Sequence, residues 1–62
     1  MLNLYYVVTY DFRGNDRARF ILTAPTHENA MDQVKDHCMP DEKVDRCSVI
    51  YTDVPNPSFQ EL

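Results

Sequence analysis

Sixty-two residues with ten acidic and six basic side chains carry a formal charge of −4, and a chain this short makes one domain that buries only about 60% of its unfolded surface. So thin a core leaves little to support a catalytic cleft, which argues against most enzyme classes. The acidic balance argues against gripping nucleic acid over a broad face, a task that takes a basic surface. Residues 4–12, Leu-Tyr-Tyr-Val-Val-Thr-Tyr-Asp-Phe, have the aromatic and β-branched composition of a strand. Alternation places Leu4, Tyr6, Val8, Tyr10 and Phe12 on one face and Tyr5, Val7, Thr9 and Asp11 on the other. The first face is wholly apolar or aromatic and is expected to meet the core. Arg13-Gly14-Asn15-Asp16 follows and reads as a turn, since Gly and Asn tolerate positive φ and Gly14 is the only glycine in the chain.

A second strand is expected over residues 17–23, with Ala18, Phe20 and Leu22 on its apolar face, and the short Gly-containing loop makes the pair an antiparallel hairpin. Pro25 stops that strand because it cannot donate a ladder hydrogen bond. Thr26 is a good N-cap and Glu28 complements the dipole of the helix that begins there. The helix is expected over residues 27–39: Ala30, Met31, Val34 and Cys38 form one stripe of a 3.6-residue period, and Pro40 ends it. After the polar link Asp41-Glu42-Lys43, residues 44–54 read as a third strand, with Cys47, Val49 and Tyr51 on one face and Val44, Arg46, Ser48, Ile50 and Thr52 on the other. Residues 55–62 contain two prolines and no period, and read as an extended tail after a domain of residues 1–54. The order β-β-α-β gives an α+β fold, a mainly antiparallel three-stranded sheet with one helix packed on one face.

Residues 1–12 lack the basic start and the small-residue cleavage site of a secretory signal, and no stretch approaches the roughly 18 apolar residues of a membrane span. A cytoplasmic protein is expected, with Cys38 and Cys47 as free thiols. A metal site is not expected, because no C-x-x-C or H-x3-H spacing occurs. His27 and His37 would lie about 15 Å apart on a helix rising 1.5 Å per residue. Ser48 and Ser58 sit in no nucleophile motif, and a single glycine cannot build a phosphate cradle. Neither catalysis nor a cofactor is expected.

Charge is laid out unevenly. Arg13, Arg17 and Arg19 gather around the hairpin loop and second strand, and Arg46 stands on the third. Glu28, Asp32, Asp36, Asp41, Glu42 and Asp45 gather on the helix and just after it. A bipolar molecule follows, with an arginine-bearing sheet side that can take partner carboxylates bidentately.

From Ala24 onward, the segment Ala24-Pro25-Thr26-His27-Glu28-Asn29-Ala30, nine further residues, Pro40 and then Val44-Asp45-Arg46 follows the pattern A-x-T-x-[DE]-x-A-x9-P-x(3,4)-V-x-R. This resembles the small early proteins of short-tailed lytic coliphages that inhibit the host bacterial RNA polymerase, and Thr9-Tyr10-Asp11 falls where that family has a Thr, an apolar residue and an acid. The resemblance implies a hairpin, one helix and a further strand. It implies that Arg46 matches one of the third-strand arginines that contact an acidic region of the polymerase's largest subunit, the jaw of β′. The family's second arginine falls at Ser48 here, a departure that the Arg13, Arg17 and Arg19 cluster would have to make good. Asp11 would match the acidic position tied to inhibition. The expectation is therefore a phage-encoded host-takeover protein, monomeric when free, that binds bacterial RNA polymerase through Arg46, Arg17, Arg19, Arg13 and Asp11 without contacting nucleic acid directly. An inhibitor of a host defence nuclease complex, of anti-CRISPR or anti-restriction type, and a plain domain that pairs through a sheet edge are the alternatives.

Overall fold

The computed structural model describes all 62 residues. Strand β1 spans Leu2–Tyr10, β2 Asp16–Ala24, helix α1 His27–Lys35, β3 Lys43–Val54 and β4 Phe59–Glu61. The sheet order is β3-β1-β2-β4, and every neighbouring pair is antiparallel. One helix lies on one face of this sheet, so the α+β architecture is as expected. β3 joins the β1 edge of the hairpin, and the sheet has four strands where three were expected, because residues 59–61 of the expected tail pair with β2.

Composition explains the hairpin, and its loop is tied by one side chain. Asp11 Oδ1 accepts the backbone N–H groups of Arg13 at 2.9 Å and Asn15 at 3.0 Å, while Gly14 takes φ +83°, a conformation that costs glycine little. The core under the helix consists of Tyr5, Val7, Phe20, Leu22, Ala24, Ala30 and Val34, with Ala18, Cys38, Val44 and Cys47 packed against it. The face of β2 is thus as expected, but that of β1 is reversed. Tyr5, Val7 and Thr9 turn to the core, and Leu4, Tyr6, Val8 and Tyr10 turn away. Thr9 tolerates full burial because its hydroxyl accepts from Ala18 N–H at 3.2 Å and donates to the Glu42 carboxylate. The Tyr5 hydroxyl likewise accepts from Asn3 Nδ2 at 3.2 Å. A buried polar atom with a partner carries no large penalty, so counting apolar residues picked the wrong face.

The helix starts where expected: Thr26 Oγ1 accepts the N–H of Asn29 at 3.1 Å. It ends at Lys35 instead of residue 39. The N–H groups of His37 and Cys38 bond three residues back, to Val34 and Lys35, and that of Met39 is captured by Glu42 Oε1 at 3.1 Å. The Glu42 side chain, three residues on, thus takes the N–H that a continuing helix would have given to the Lys35 carbonyl.

In β3 the simple alternation fails. Leu2, Leu4, Tyr5, Val8 and Thr9 of β1 face Val54, Tyr51, Val49, Arg46 and Val44, with register shifts at three places. Each shift adds a residue on the β3 side, which is why β3 takes twelve residues to cover the nine of β1. Extra residues of this kind are β-bulges, and the one at Asp45 turns Val44 and Cys47 toward the same, helix-covered face. Asp53 takes φ +58° within β3 at the shift between Leu2 and Leu4, and beyond Val54 the chain crosses to the opposite edge of the sheet. It returns along β2, where Thr23 and Ser58 exchange backbone and hydroxyl hydrogen bonds at 2.8–3.3 Å.

Candidate functional site

Because α1 covers only one face, the other face of the sheet is free, and the register fixes what stands on it. Val8 pairs with Arg19 on β2 and with Arg46 on β3, so two arginines flank one valine in a row across three strands. Opposed Cα atoms lie about 4.5–5.5 Å apart, which sets the two arginine backbones about 10 Å from each other. Beside this row stands Ser48–Tyr6–Ile21, and beyond that Tyr51–Leu4–Thr23. On the hairpin side Tyr10 lies between Lys43 and Asp16. Val8 is 3% exposed although no element covers it, so its neighbours on the sheet close over it. A concavity of about 320 Å³ opens there, lined by Tyr6, Val8, Asp16, Arg19, Arg46 and Ser48.

Both arginines of the row are exposed. Arg46 Nε lies 3.5 Å from the carboxylate of its neighbour Asp45, a half-solvated contact, and such surface pairs contribute at most about 1 kcal/mol. Arg19 has no carboxylate within ion-pairing distance. Both guanidiniums are therefore available to an incoming anion, with a dry aliphatic floor between them and the hydroxyls of Tyr6 and Ser48 alongside.

The other residues nominated from the sequence lie elsewhere. Arg17 donates through Nε to Glu42 Oε1 at 3.1 Å. Glu42, whose side chain is only 4% exposed, also accepts from Thr9 Oγ1 and Met39 N–H, so Arg17 completes a structural cluster. Arg13 lies at the hairpin tip with its guanidinium 5.3 Å from the centre of the Phe12 ring, and Asp11 is engaged in the turn beneath it. Of the five nominated residues the fold brings together Arg19 and Arg46. Tyr6 and Val8 share their face, and sequence reasoning had assigned both to the core. No pattern within β1 reports this, because Tyr5 and Thr9 become buriable only through the hydrogen bonds to Asn3 and Glu42 that the fold supplies.

Chemically the face offers guanidinium and hydroxyl groups, and both cysteines lie on the helix-covered side of the sheet. Burial raises the Cys47 thiol pKa; burial, followed by the charge of Glu42, raises that of Cys38, so neither is activated as a thiolate. No three His, Cys, Asp or Glu side chains gather as a metal would require. No helix is long and apolar enough to cross a membrane. Comparison of the chain with protein-family models, curated proteins and solved structures finds no match.

Proposed function

We propose that this protein is a phage-encoded inhibitor that docks its uncovered sheet face on bacterial RNA polymerase, in the host cytoplasm, and blocks transcription by occupancy without catalysis. The observation that carries the reading is the Arg46–Val8–Arg19 row, two available guanidiniums across a dry floor. Paired arginines suit carboxylates of a protein surface, each able to make two parallel hydrogen bonds to one acid. The resemblance at Ala24 to Arg46 supports the choice of the polymerase's largest subunit as the acidic partner. Arg19 stands on the same face as Arg46 and supplies the second positive charge that Ser48 does not.

Affinity capture from bacterial lysate with the tagged protein, read by mass spectrometry, tests the reading. Polymerase subunits are expected to be enriched with the wild-type chain and lost with Arg46→Glu. Arg46 is exposed, so that variant is expected to keep the wild-type circular dichroism spectrum. Full capture of polymerase by the folded, charge-reversed variant would overturn the arginine contact. Capture of a defence nuclease complex in place of polymerase would replace the partner.

A further inference from the structure

The uncovered face has two unlike halves. Ten consecutive residues, Met1 to Tyr10, carry no charged side chain, and neither do the six from Cys47 to Thr52, in a chain that is 26% charged overall. The register sets these two stretches side by side, through the rows Tyr51–Leu4–Thr23 and Ser48–Tyr6–Ile21. Tyr51 is 65% exposed there, while Leu4, Tyr6 and Ile21 are half-buried. Among the paired rows of this face charge begins at the arginine row and continues toward the hairpin, while the exposed Asp53 borders the charge-free half at its other end. Depletion of charge with exposed aromatic rings marks the dry centre of a protein interface, and tyrosine is among the residues that dominate binding when such a centre is desolvated.

We infer, resting on the function proposed above, that the charge-free half centred on Tyr51, Leu4 and Tyr6 is the affinity anchor. Its occupant is then a polymerase segment that presents an apolar side chain beside its acidic residues. The arginine row sets register and encounter rate. Two to four residues along β1 separate the rows, so the partner's apolar side chain lies about 7–13 Å from its carboxylates at 3.3 Å per residue. A second copy of this chain does not complement the face. Aligned face to face, two copies set four arginines together; reversed, each apolar half meets an arginine half. Copies offset so that only their apolar halves overlap would leave the arginine row of each uncovered and without a counter-charge.

The test measures affinity for immobilised bacterial RNA polymerase across a salt series, for wild type, Tyr51→Ala, Tyr51→Phe and Arg46→Glu, with sedimentation of each free protein. Tyr51→Ala is expected to weaken binding at least tenfold at every salt concentration and to leave the salt slope as in wild type. Tyr51→Phe is expected to bind within twofold of wild type, and Arg46→Glu to weaken binding and flatten the slope. Unchanged affinity of Tyr51→Ala beside a loss in Arg46→Glu overturns the anchor and leaves the proposed function standing. No binding by wild type overturns the function and the anchor with it. A wild-type dimer that Tyr51→Ala dissociates would make the occupant a second copy and overturn the inference.

Discussion

Glu42 is one side chain on which three parts of the molecule converge. Its carboxylate accepts from Thr9 on β1, Arg17 on β2 and the Met39 N–H of the turn that follows α1. Burial works to raise its pKa, but the hydrogen bonds from Thr9 and Met39 and the charge of Arg17 outweigh it, and the group sits below the ordinary carboxylate range. With the folded value below an unfolded value of about 4.3, its contribution to stability is complete above the unfolded pKa and is lost as pH falls through the folded one. Glu42→Gln keeps the shape and removes the charge, so it is expected to cost about 1.5–3 kcal/mol at pH 7, the range for hydrogen bonds to a charged group. The deficit should shrink as pH drops below about 4 and wild type loses the same charge. Urea unfolding of both proteins at pH 7, 4 and 3 measures this, and a deficit that stays constant with pH would contradict the linkage.

At the scale of elements, β4 is the shortest strand, and two aromatic contacts support it. Phe59 is 38% exposed, with its ring centre 4.6 Å from that of His37 and 5.6 Å from that of Phe20. Phe59→Ala is expected to lower stability by about 1–2 kcal/mol, a partly buried aromatic ring's share of transfer and stacking. Hydrogen exchange should localise the loss: the N–H groups of Thr23 and Leu62, which donate to Ser58 and Arg19, should lose protection while that of Val7 in the core keeps it. Unchanged protection at both sites would mean that β4 is held by its backbone alone. The strand was not legible in residues 55–62, because what orders it is a non-local partnership, Ser58 with Thr23 and Phe59 with His37, and no period within the segment reports it. The hairpin, the cap at Thr26 and the apolar face of β2 were legible, since each is specified by neighbours within a few residues. The faces of β1 and β3 were not. Tyr5 and Thr9 become buriable only once Asn3 and Glu42 satisfy them, and the three extra residues of β3 break the alternation on which strand reading depends. The same bulges shield the outer edge of β3 from further pairing.

For the molecule as a whole, the arginine side could be read from the charge layout, but which arginines share it could not. Arg17 and Arg19 lie two residues apart on β2, yet the register shift near Tyr10 leaves Arg17 paired with Glu42 and Arg19 beside Val8. The exposed acids Glu28, Asp32, Asp36 and Asp41 belong to the helix side, across a molecule 17 Å in each short dimension. Charges separated by more than a Debye length are largely screened, and that length is about 8 Å at 0.15 M salt and about 30 Å at 0.01 M. At physiological salt the two sides therefore act independently, whereas at low salt an approaching acidic partner feels the net charge of −4. Asp32→Asn combined with Asp41→Asn removes two exposed acids from the helix side. The double variant is expected to raise the association rate with polymerase several-fold at 0.01 M salt, to change it less than twofold at 0.15 M, and to leave dissociation unaltered. Arg19→Ala is expected to slow association at low salt and speed dissociation at both concentrations, because its side chain stands on the face proposed to dock. Stopped-flow association and dissociation rates at the two salt concentrations separate these effects. A change in dissociation on neutralising the helix acids would place the helix itself against the partner and make the acidic side a second contact surface.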